Sequence, residues 1–342
     1  MPSSDESRYS RQIRFAPVGE AGQLAIGKSR ALICGCGALG STIAERLARA
    51  GVGHLRIVDR DWVEVSNLQR QGLFTEEDAA SRQPKAVAAA RELARYNSHI
   101  TLEPIVEDVT YANIANLAAD CDILLDGTDN FETRFLLNDF CIQQGVPWIH
   151  GGCLGASGQV LSIVPGATAC FRCLLPELPS RDALETCDSA GVLGTAVGLI
   201  ACWQATEALK VLSGNASAVS RGLIVLDAWD TSARIVRLEP NAHCPTCQAR
   251  EFPFLSGQIR TETTVLCGKN AVQIESPTLN RSPLATIAER LQLVGPVTQN
   301  AFFVRLTLRD HTLTIFKGGR TVVEGTTQGA EAKSILAQTL GS

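Results

Sequence analysis

The stretch between residues 30 and 61 constrains the fold of this chain more than any other. A short apolar run, residues 31–33, leads directly into the glycine-rich loop Gly35-Cys36-Gly37-Ala38-Leu39-Gly40. Apolar residues at helical spacing follow, and a second apolar run, residues 55–58, ends at Asp59. Strand, glycine loop, helix, strand and acid in this order are the pattern of a nucleotide-binding βαβ unit.

The conspicuous residues of this stretch each have a physical reason for their place. Gly35 permits a tight turn, Gly37 lets a phosphate approach the backbone, and Gly40 allows helix and strand to pack closely. The helix N-terminus offers free N–H groups to phosphates, and Asp59 can accept hydrogen bonds from ribose hydroxyls. The alternative is a glycine turn in an ordinary α/β unit, which does not require all of these features in order.

Two basic residues follow this pattern along the chain. Arg70 lies in a polar loop, residues 63–71, and Lys85 follows Pro84 at the predicted start of a helix over residues 86–96. A lysine at a helix N-terminus is unfavourable for the helix dipole, so an anionic ligand nearby would account for it. The alternative is a lysine exposed on the surface.

Two acids lie at the end of the next predicted strand, residues 122–126. Asp126 and Asp129 are close to the carboxyl end of this strand, where open parallel sheets hold ligands. Two neighbouring carboxylates suit Mg²⁺, so both are candidate ligands. Asp129 or Asn130 could instead cap the helix that runs through residues 134–144, and the two roles are compatible.

The remaining apolar runs predict a doubly wound sheet. They predict strands at residues 101–106, 146–150 and 158–164, the last of them antiparallel, and helices at residues 19–26 and 192–212. We therefore expect an α/β fold with a Rossmann-like doubly wound mixed sheet.

Two C-x2-C pairs, Cys170 with Cys173 and Cys244 with Cys247, are separated by about 70 residues. Four thiolates suit a tetrahedral structural zinc site that leaves no coordination position open for catalysis. Redox-active cysteines are the alternative, but two such pairs in one cytosolic chain favour zinc.

The composition argues against several classes of protein. The chain has 31 basic and 35 acidic residues, a net charge of −4 and no dense Lys/Arg run, so no nucleic-acid partner is expected. No apolar run approaches the roughly 20 residues that span a membrane, and the polar N-terminal residues contain no signal core. We therefore expect a cytoplasmic protein with no membrane partner.

The motifs together resemble the ThiF/MoeB family, the bacterial relatives of ubiquitin-activating enzymes. The resemblance covers the chain from about residue 8 to residue 250. It rests on RYSRQI, GCGALG, VDRDWVEVSNLQRQ, QPK, DGTDNFETR, CFRC, ETCDSAGVLG and CPTC, all in family order. It implies an adenylyltransferase that uses Mg-ATP to adenylate the C-terminal Gly-Gly carboxylate of a ubiquitin-like sulfur-carrier protein, ThiS-like or MoaD-like. The product would serve sulfur transfer in thiamine or molybdopterin biosynthesis.

The resemblance also implies roles for individual residues. The residues implied to bind ATP are Gly35, Gly37, Gly40, Asp59, Ser66, Asn67, Arg70, Lys85, Asp129 and Asn130, with Asp129 holding Mg²⁺. The implied catalytic residues are Arg11, Arg70, Lys85, Asp129 and Cys187, and the implied zinc ligands are Cys170, Cys173, Cys244 and Cys247. Arg11 would reach the ATP site of a neighbouring subunit, because the family works as homodimers. Cys187 matches a family cysteine that can link covalently to the carrier, although acidic sequence neighbours do not favour a reactive thiolate there.

The C-terminal residues depart from the shorter family members. We expect an adenylation domain over residues 1–250 and a small α+β domain over residues 258–342. The expected strands lie at residues 265–267, 271–274, 302–308, 312–316 and 321–324, and the expected helices at 283–291 and 329–340. Cys267 is expected to be a buried cysteine at a strand end. The tail favours the thiamine branch and could recruit the carrier or a sulfur donor, for which a cysteine desulfurase or a rhodanese are candidates.

Two other functions fit parts of the sequence. The glycine loop and Asp59 would also suit an NAD(P)-dependent oxidoreductase, but Arg70, Lys85 and Asp129 would then have no phosphoryl chemistry to serve. His150 is the one candidate proton donor for that chemistry, and we expect it merely to pack at a strand end. The third hypothesis is a non-enzymatic nucleotide sensor that zinc stabilises.

Overall fold

A computed structural model describes residues 8–179, 190–260, 263–266, 270–275, 279, 282–317 and 319–340. The chain divides into two compact units, the first from Met1 to Ile259 and the second from Arg260 to Ser342. Within the described residues, no helix combines the length and the apolar character that crossing a membrane requires.

The first unit is built on an eight-stranded mixed sheet. Five neighbouring strands in the order β3-β2-β1-β4-β5 are parallel, and β6, β7 and β8 continue the sheet in antiparallel pairs. The strand order reverses at β1, whose parallel neighbours β2 and β4 lie on its two sides. Such a reversal leaves a crevice at the carboxyl ends of the strands. The strands are β1 Arg30–Cys34, β2 His54–Val58, β3 Thr101–Ile105, β4 Ile123–Asp126, β5 Trp148–Leu154, β6 Ser157–Ile163, β7 Gly222–Asp227 and β8 Ser232–Arg237.

Helices cover both faces of this sheet. The strand β4 is buried along its whole length, and along β1 only the first residue is exposed. Alternate residues of β1 belong to two separate apolar cores: Ile33 faces the helix after the glycine loop, and Leu32 faces the other side. The described helices are α1 Ser10–Ile13, α2 Gly19–Lys28, α3 Ala38–Ala50, α4 Glu76–Ala80, α5 Lys85–Tyr96, α6 Ile114–Leu117, α7 Phe131–Gln144, α8 Phe171–Leu174 and α9 Gly194–Leu212.

The second unit contains an antiparallel six-stranded sheet in the order β11-β12-β13-β14-β10-β9, with two helices. One apolar core joins the two helices to the sheet, as the burial of Ile287, Leu291 and Leu336 shows. The elements are β9 Thr263–Leu266, β10 Ala271–Glu275, α10 Leu284–Gln292, β11 Val297–Gln299, β12 Phe303–Thr307, β13 Thr312–Phe316, β14 Arg320–Glu324 and α11 Gly329–Leu340.

The structure confirms the predicted α/β fold class with a doubly wound mixed sheet. It also confirms that the strand after residue 157 is antiparallel. The sequence interpretation missed three strands, β7, β8 and β11. Every residue of β8 is exposed, so no alternation of apolar and polar residues marked it. The predicted buried cysteine Cys267 lies outside the described residues.

Candidate functional site

Three glycines bring two backbone turns into direct contact at the carboxyl ends of β1 and β4. A Cβ atom at Gly40 would lie 1.9 Å from the carbonyl oxygen of Gly35, and one at Gly127 would lie 2.3 Å from the same oxygen. Gly35 has a φ of +86°, which disfavours any side chain there. The close packing that the sequence predicted for Gly40 is thus present, and Gly127 shares it.

The helix α3 begins directly after this loop. Gly37 is its N-cap residue, and no side chain in the described part of the chain caps the helix. The first N–H groups of the helix therefore remain available to an anion, as expected for a phosphate site. Nearby, the buried Oε1 atom of Gln71 has no hydrogen-bond partner among the described residues, and the amide nitrogen of Gln71 would lie 3.9 Å from a Cβ atom at Gly37. An unpaired buried oxygen beside the loop fits a site completed by a ligand.

Asp59 follows β2, and its carboxylate binds both the glycine loop and the loop after β2. Its Oδ2 accepts a hydrogen bond of 2.6 Å from the backbone N–H of Cys36, and its Oδ1 accepts one of 2.7 Å from Asp61. Burial raises the pKa of Asp59, although Lys85 and the two backbone N–H groups oppose that effect. The carboxylate thus fixes the glycine loop, and it sits at the strand end where a ribose is expected.

Lys85 is the first residue of α5 and is only 7% exposed. The alternative interpretation of Lys85 as a surface lysine is therefore wrong. Its Nζ lies 3.7 Å from Oδ2 of Asp61, and its backbone N–H donates to the carbonyl oxygen of Asp61. Burial alone would lower the pKa of Lys85, but Asp59, Asp61 and Asp129 outweigh it and raise that pKa. The lysine is therefore a buried cation held among carboxylates.

The loop between β2 and α4 contains, besides Asp59, three more of the predicted nucleotide-binding residues: Ser66, Asn67 and Arg70. Asn67 is buried, and its side-chain oxygen accepts a hydrogen bond from the backbone N–H of Glu64. Arg70 is partly buried and donates from Nη1 to the carbonyl oxygen of Ser66 at 2.9 Å. The side chain of Arg70 is thus fixed on the loop, with its other guanidinium nitrogens not used by this contact.

The turn after β4 separates two carboxylates that the sequence had grouped together. Asp129 is exposed, whereas Asp126 is fully buried. Asn130 is the N-cap of α7, and its Oδ1 accepts hydrogen bonds from the backbone N–H groups of Glu132 and Thr133 at 2.8 and 3.4 Å. The predicted capping role is confirmed for Asn130, so its side-chain oxygen is already engaged.

Asp126 does not face a metal site. Its Oδ1 accepts hydrogen bonds from the N–H and the hydroxyl of Thr128, at 2.9 and 2.8 Å. Its Oδ2 lies 3.1 Å from Nε of Arg134 and 2.7 Å from Nδ1 of His150. The expectation that Asp126 helps to hold Mg²⁺ is therefore wrong, because protein donors occupy both oxygens. Asp129 remains as the candidate carboxylate.

Arg11 projects from an N-terminal arm that is fixed by its neighbours. Its side chain is exposed on the short helix α1. Tyr9 accepts a hydrogen bond of 2.8 Å from Asn97, and Gln12 donates to the carbonyl oxygen of Ala50 at 3.0 Å. The arm therefore presents Arg11 to the surroundings from a fixed backbone.

The four cysteines of the two C-x2-C pairs come together. Their sulfur atoms all lie within 4.8 Å of one another, with distances of 3.5 Å between Cys170 and Cys244 and 3.6 Å between Cys173 and Cys247. A tetrahedral zinc with Zn–S bonds of about 2.3 Å requires sulfur atoms about 3.8 Å apart, so the cluster fits zinc closely. Cys187 lies outside the described residues.

One helix connects this cysteine cluster to the turn after β4. Asn138 of α7 accepts a hydrogen bond of 2.8 Å from the N–H of Phe171 and donates to Sγ of Cys170 at 3.8 Å. The buried Asp139 accepts one from the Thr246 hydroxyl at 3.3 Å. Both C-x2-C turns are thus attached to the helix that Asn130 caps.

The model of the ThiF family matches residues 9–246 of this chain. The chain belongs to the ThiF family. Its relatives include the "Sulfur carrier protein ThiS adenylyltransferase" of Bacillus subtilis (strain 168), 43% identical over 338 residues, or 98% of this chain and 99% of that protein. The "SAMP-activating enzyme E1" of Haloferax volcanii is 40% identical over 240 residues, or 70% of this chain and 88% of that protein.

Solved structures support the same fold. The crystal structure of E. coli MccB with ATP superposes with a TM-score of 0.62 and 22% identity, over 70% of this chain and 74% of that chain. At this identity the likeness concerns the fold alone. It agrees with the mixed sheet described above for this ThiF family member.

Sequence reasoning missed several residues that shape the site. Asp61 lies within the motif after β2, but its ion pair with Lys85 required knowledge of how α5 packs. Gly127 lies beside Asp126 in the sequence and could have been noticed as a second glycine turn. Arg134 and His150 were not expected to meet Asp126, because residues 8 and 24 positions away converge on it only in the folded chain.

Proposed function

We propose that this protein adenylates the C-terminal Gly-Gly carboxylate of a ubiquitin-like sulfur-carrier protein and releases pyrophosphate from ATP. The near full-length similarity to the ThiS adenylyltransferase of Bacillus subtilis indicates the class of substrate. The observation in the structure that carries the proposal is the placement of Lys85. A buried cation among Asp59, Asp61 and Asp129, beside an uncapped helix N-terminus, suits a nucleoside triphosphate.

The proposed reaction makes modest demands on the protein. The carrier carboxylate is ionised at neutral pH, so no general base is needed. One of its oxygens forms a bond to the α-phosphorus of ATP, the bond from that phosphorus to the bridging oxygen breaks, and pyrophosphate leaves with the electron pair. Catalysis then depends on positioning and on neutralising charge.

The residues near the loop are assigned to these tasks. Gly35, Gly37 and Gly40 form the cradle for the phosphates, and Asp59 would accept hydrogen bonds from the ribose. Ser66, Asn67, Arg70 and Lys85 would contact the triphosphate. Asp129, with Asn130 beside it, would hold Mg²⁺, which supplies further positive charge to the phosphates when it is bound.

Arg11 is assigned to a neighbouring subunit's site in a homodimer. This assignment is supported by its exposure and by the contacts of Tyr9 and Gln12, which fix the arm while leaving the guanidinium outward. Mixing Arg11→Ala subunits with subunits that carry Lys85→Met tests it. A hybrid dimer has one site with both residues intact, so activity recovered on mixing supports sharing, and no recovery refutes it.

Zinc is assigned a structural role at Cys170, Cys173, Cys244 and Cys247. Four cysteine ligands leave no open position on the metal, so it would hold the two distant C-x2-C turns together. Cys187 is assigned to a covalent link with the carrier.

The thiamine branch, with a ThiS-like carrier, is the pathway we propose. The similarity to the Bacillus protein continues through the second unit, whereas the similarity to the Haloferax protein covers 70% of this chain. The second unit is then a candidate docking element for the carrier or for a sulfur donor such as a cysteine desulfurase or a rhodanese. We propose a cytoplasmic location, where free thiols persist.

ATP–pyrophosphate exchange separates the candidate functions. We expect exchange only when Mg-ATP and a ThiS-like carrier ending in Gly-Gly are both present, and none with a carrier that lacks the final glycine. Intact mass should show the carrier adenylate and, in protein with Cys187 intact, a conjugate. ATP binding without exchange for ThiS-like or MoaD-like carriers would favour a sensor. Carrier-independent reduction of NAD(P) would favour an oxidoreductase.

A further inference from the structure

The turn that presents Asp129 is held by a buried network of three side chains. Asp126 accepts hydrogen bonds from both the N–H and the hydroxyl of Thr128. Arg134 reaches back from α7 and donates from Nη2 to the carbonyl oxygen of Thr128 at 2.6 Å. The residue before Asp129 is therefore fixed through its N–H, its carbonyl and its side chain.

His150 completes this network from β5. It is 1% exposed, and its Nδ1 lies 2.7 Å from Oδ2 of Asp126. Burial lowers the pKa of His150 against the opposing effect of Asp126, so the ring is neutral and Nδ1–H donates to the carboxylate. Phe171 packs on the ring with centroids 4.8 Å apart, which fixes its orientation.

Asp129 itself depends on this backbone for its direction. Its carboxylate is exposed and accepts no hydrogen bond from the described part of the chain, yet its charge acts on the buried Lys85. Lys85 and Arg60 attract the carboxylate, but no hydrogen bond from the described residues holds it, so its position depends on the backbone of the turn that carries it. A shift of the turn would therefore move the carboxylate away from a bound cation.

We propose that Arg134 and His150 are positioning residues that act through Asp126 to hold the carboxylate of Asp129 in place for Mg²⁺. This inference rests on the proposed function, in which Asp129 holds the metal of Mg-ATP. Neither residue touches substrate in this proposal. Arg134 anchors the carbonyl of Thr128, and His150 keeps Asp126 in the orientation that binds the N–H of the same residue.

The test compares binding of ATP with and without Mg²⁺ by calorimetry on the full-length protein. Replacing His150 by Leu removes the donor, and Arg134→Lys keeps the charge but loses the fork that spans Asp126 and Thr128. We call the Mg²⁺ concentration that gives half of the full increase in ATP affinity the Mg²⁺ midpoint. Each change should raise this midpoint about tenfold. A tenfold shift corresponds to ~1.4 kcal/mol, close to the cost of one lost hydrogen bond to a charged group. The affinity for Mg²⁺-free ATP should change less than twofold. His150→Asn, which places an amide N–H near the Nδ1 position, should restore most of the Mg²⁺ response.

A control separates positioning from general loss of stability. Arg56 is also largely buried, bridges Glu103 and the carbonyl oxygens of Leu117 and Ala119, and lies in the same sheet. Arg56→Lys should lower the melting temperature without changing the Mg²⁺ midpoint. Hydrogen exchange adds a local readout, because the Thr128 amide should exchange about tenfold faster in the His150 and Arg134 variants.

The outcomes distinguish this inference from the proposed function. If the wild-type protein shows no Mg²⁺-dependent ATP binding, the proposed function fails. If it does, and folded His150→Leu or Arg134→Lys proteins keep the wild-type Mg²⁺ midpoint and Thr128 exchange, the positioning role is refuted. In an Asp129→Asn background neither change should shift the midpoint further, and an additive effect there would also contradict the inference.

Discussion

Replacing Gly40 by Ala tests the glycine contact at the centre of the site. The new Cβ would lie 1.9 Å from the carbonyl oxygen of Gly35, whereas real Cβ atoms essentially never approach a heavy atom within 3.0 Å. The carbonyl must therefore move by at least about 1.1 Å, since a helix start and a strand end cannot bend away as a flexible side chain can.

The movement has a cost that can be worked out from the neighbouring contacts. Overpacking a well-packed region costs about 1–3 kcal/mol. Shifting the loop also breaks the 2.6 Å hydrogen bond from the N–H of Cys36 to Asp59, and losing a bond to a charged group costs about 1.5–3 kcal/mol. A total of roughly 2.5–6 kcal/mol corresponds to a fall in melting temperature on the order of 10 °C for a unit of this size.

Thermal unfolding with and without Mg-ATP provides the measurement. We expect Gly40→Ala to melt earlier and to lose the stabilisation that Mg-ATP gives the wild-type protein. Gly198→Ala is the matched control, because Gly198 lies inside α9 and a Cβ there meets, apart from its own helix backbone, no atom of the described residues within 4 Å. The control should gain about 0.4–1 kcal/mol from the unfolded state and keep its ATP response. A Gly40→Ala protein with wild-type melting and ATP response would refute the steric reasoning.

Three further predictions concern charge, metal and pH. Lys85→Met should lower pyrophosphate exchange about 10²–10³-fold, measured at saturating carrier, because the site loses its buried cation; a loss below tenfold would contradict this. The purified protein should contain one zinc per chain by mass spectrometry, and Cys244→Ser should lower both the zinc content and the melting temperature. Burial would raise the pKa of Asp126, but Arg134, His150 and Thr128 outweigh it and hold that pKa below its ordinary value. A depressed pKa gives stability above the unfolded value, lost as pH falls through the folded value, so Asp126→Asn should flatten the stability profile below about pH 4. If the stability of the Asp126→Asn protein falls below about pH 4 as steeply as that of the wild type, this network does not cause the loss of stability in acid.

The parts of the site that the sequence predicted well depend on local geometry. A glycine loop between strand and helix has a steric cause within a few residues, and so does the cap at Asn130, whose oxygen binds N–H groups two and three positions away. The meeting of the four cysteines followed from metal chemistry, which requires distant ligands to converge.

The parts that it predicted poorly depend on distant packing. The sequence predicted an anionic partner for Lys85, with a surface lysine as the alternative, but it did not identify Asp59 and Asp61 as the carboxylates around the buried side chain. Asp126 was grouped with Asp129 because they are neighbours in sequence, yet the sheet turns one inward and leaves the other exposed. The sequence alone could not distinguish the buried carboxylate from the exposed one, because the difference depends on the contacts that Asp126 makes with Arg134 and His150 in the folded chain.

The spacing of the cysteine pairs has a consequence for the unfolded chain. Cys170 and Cys244 are 74 positions apart, and a metal joining them closes a long loop that includes α9, β7 and β8. On the chain-entropy account of cross-links, closing a loop of this length restricts the unfolded chain by roughly 4 kcal/mol. Much of the metal's stabilising effect would then arise because the closed loop lowers the conformational entropy of the unfolded protein. A backbone cut inside the loop would leave two fragments still joined through the metal, and the entropic contribution of the closed loop would be lost.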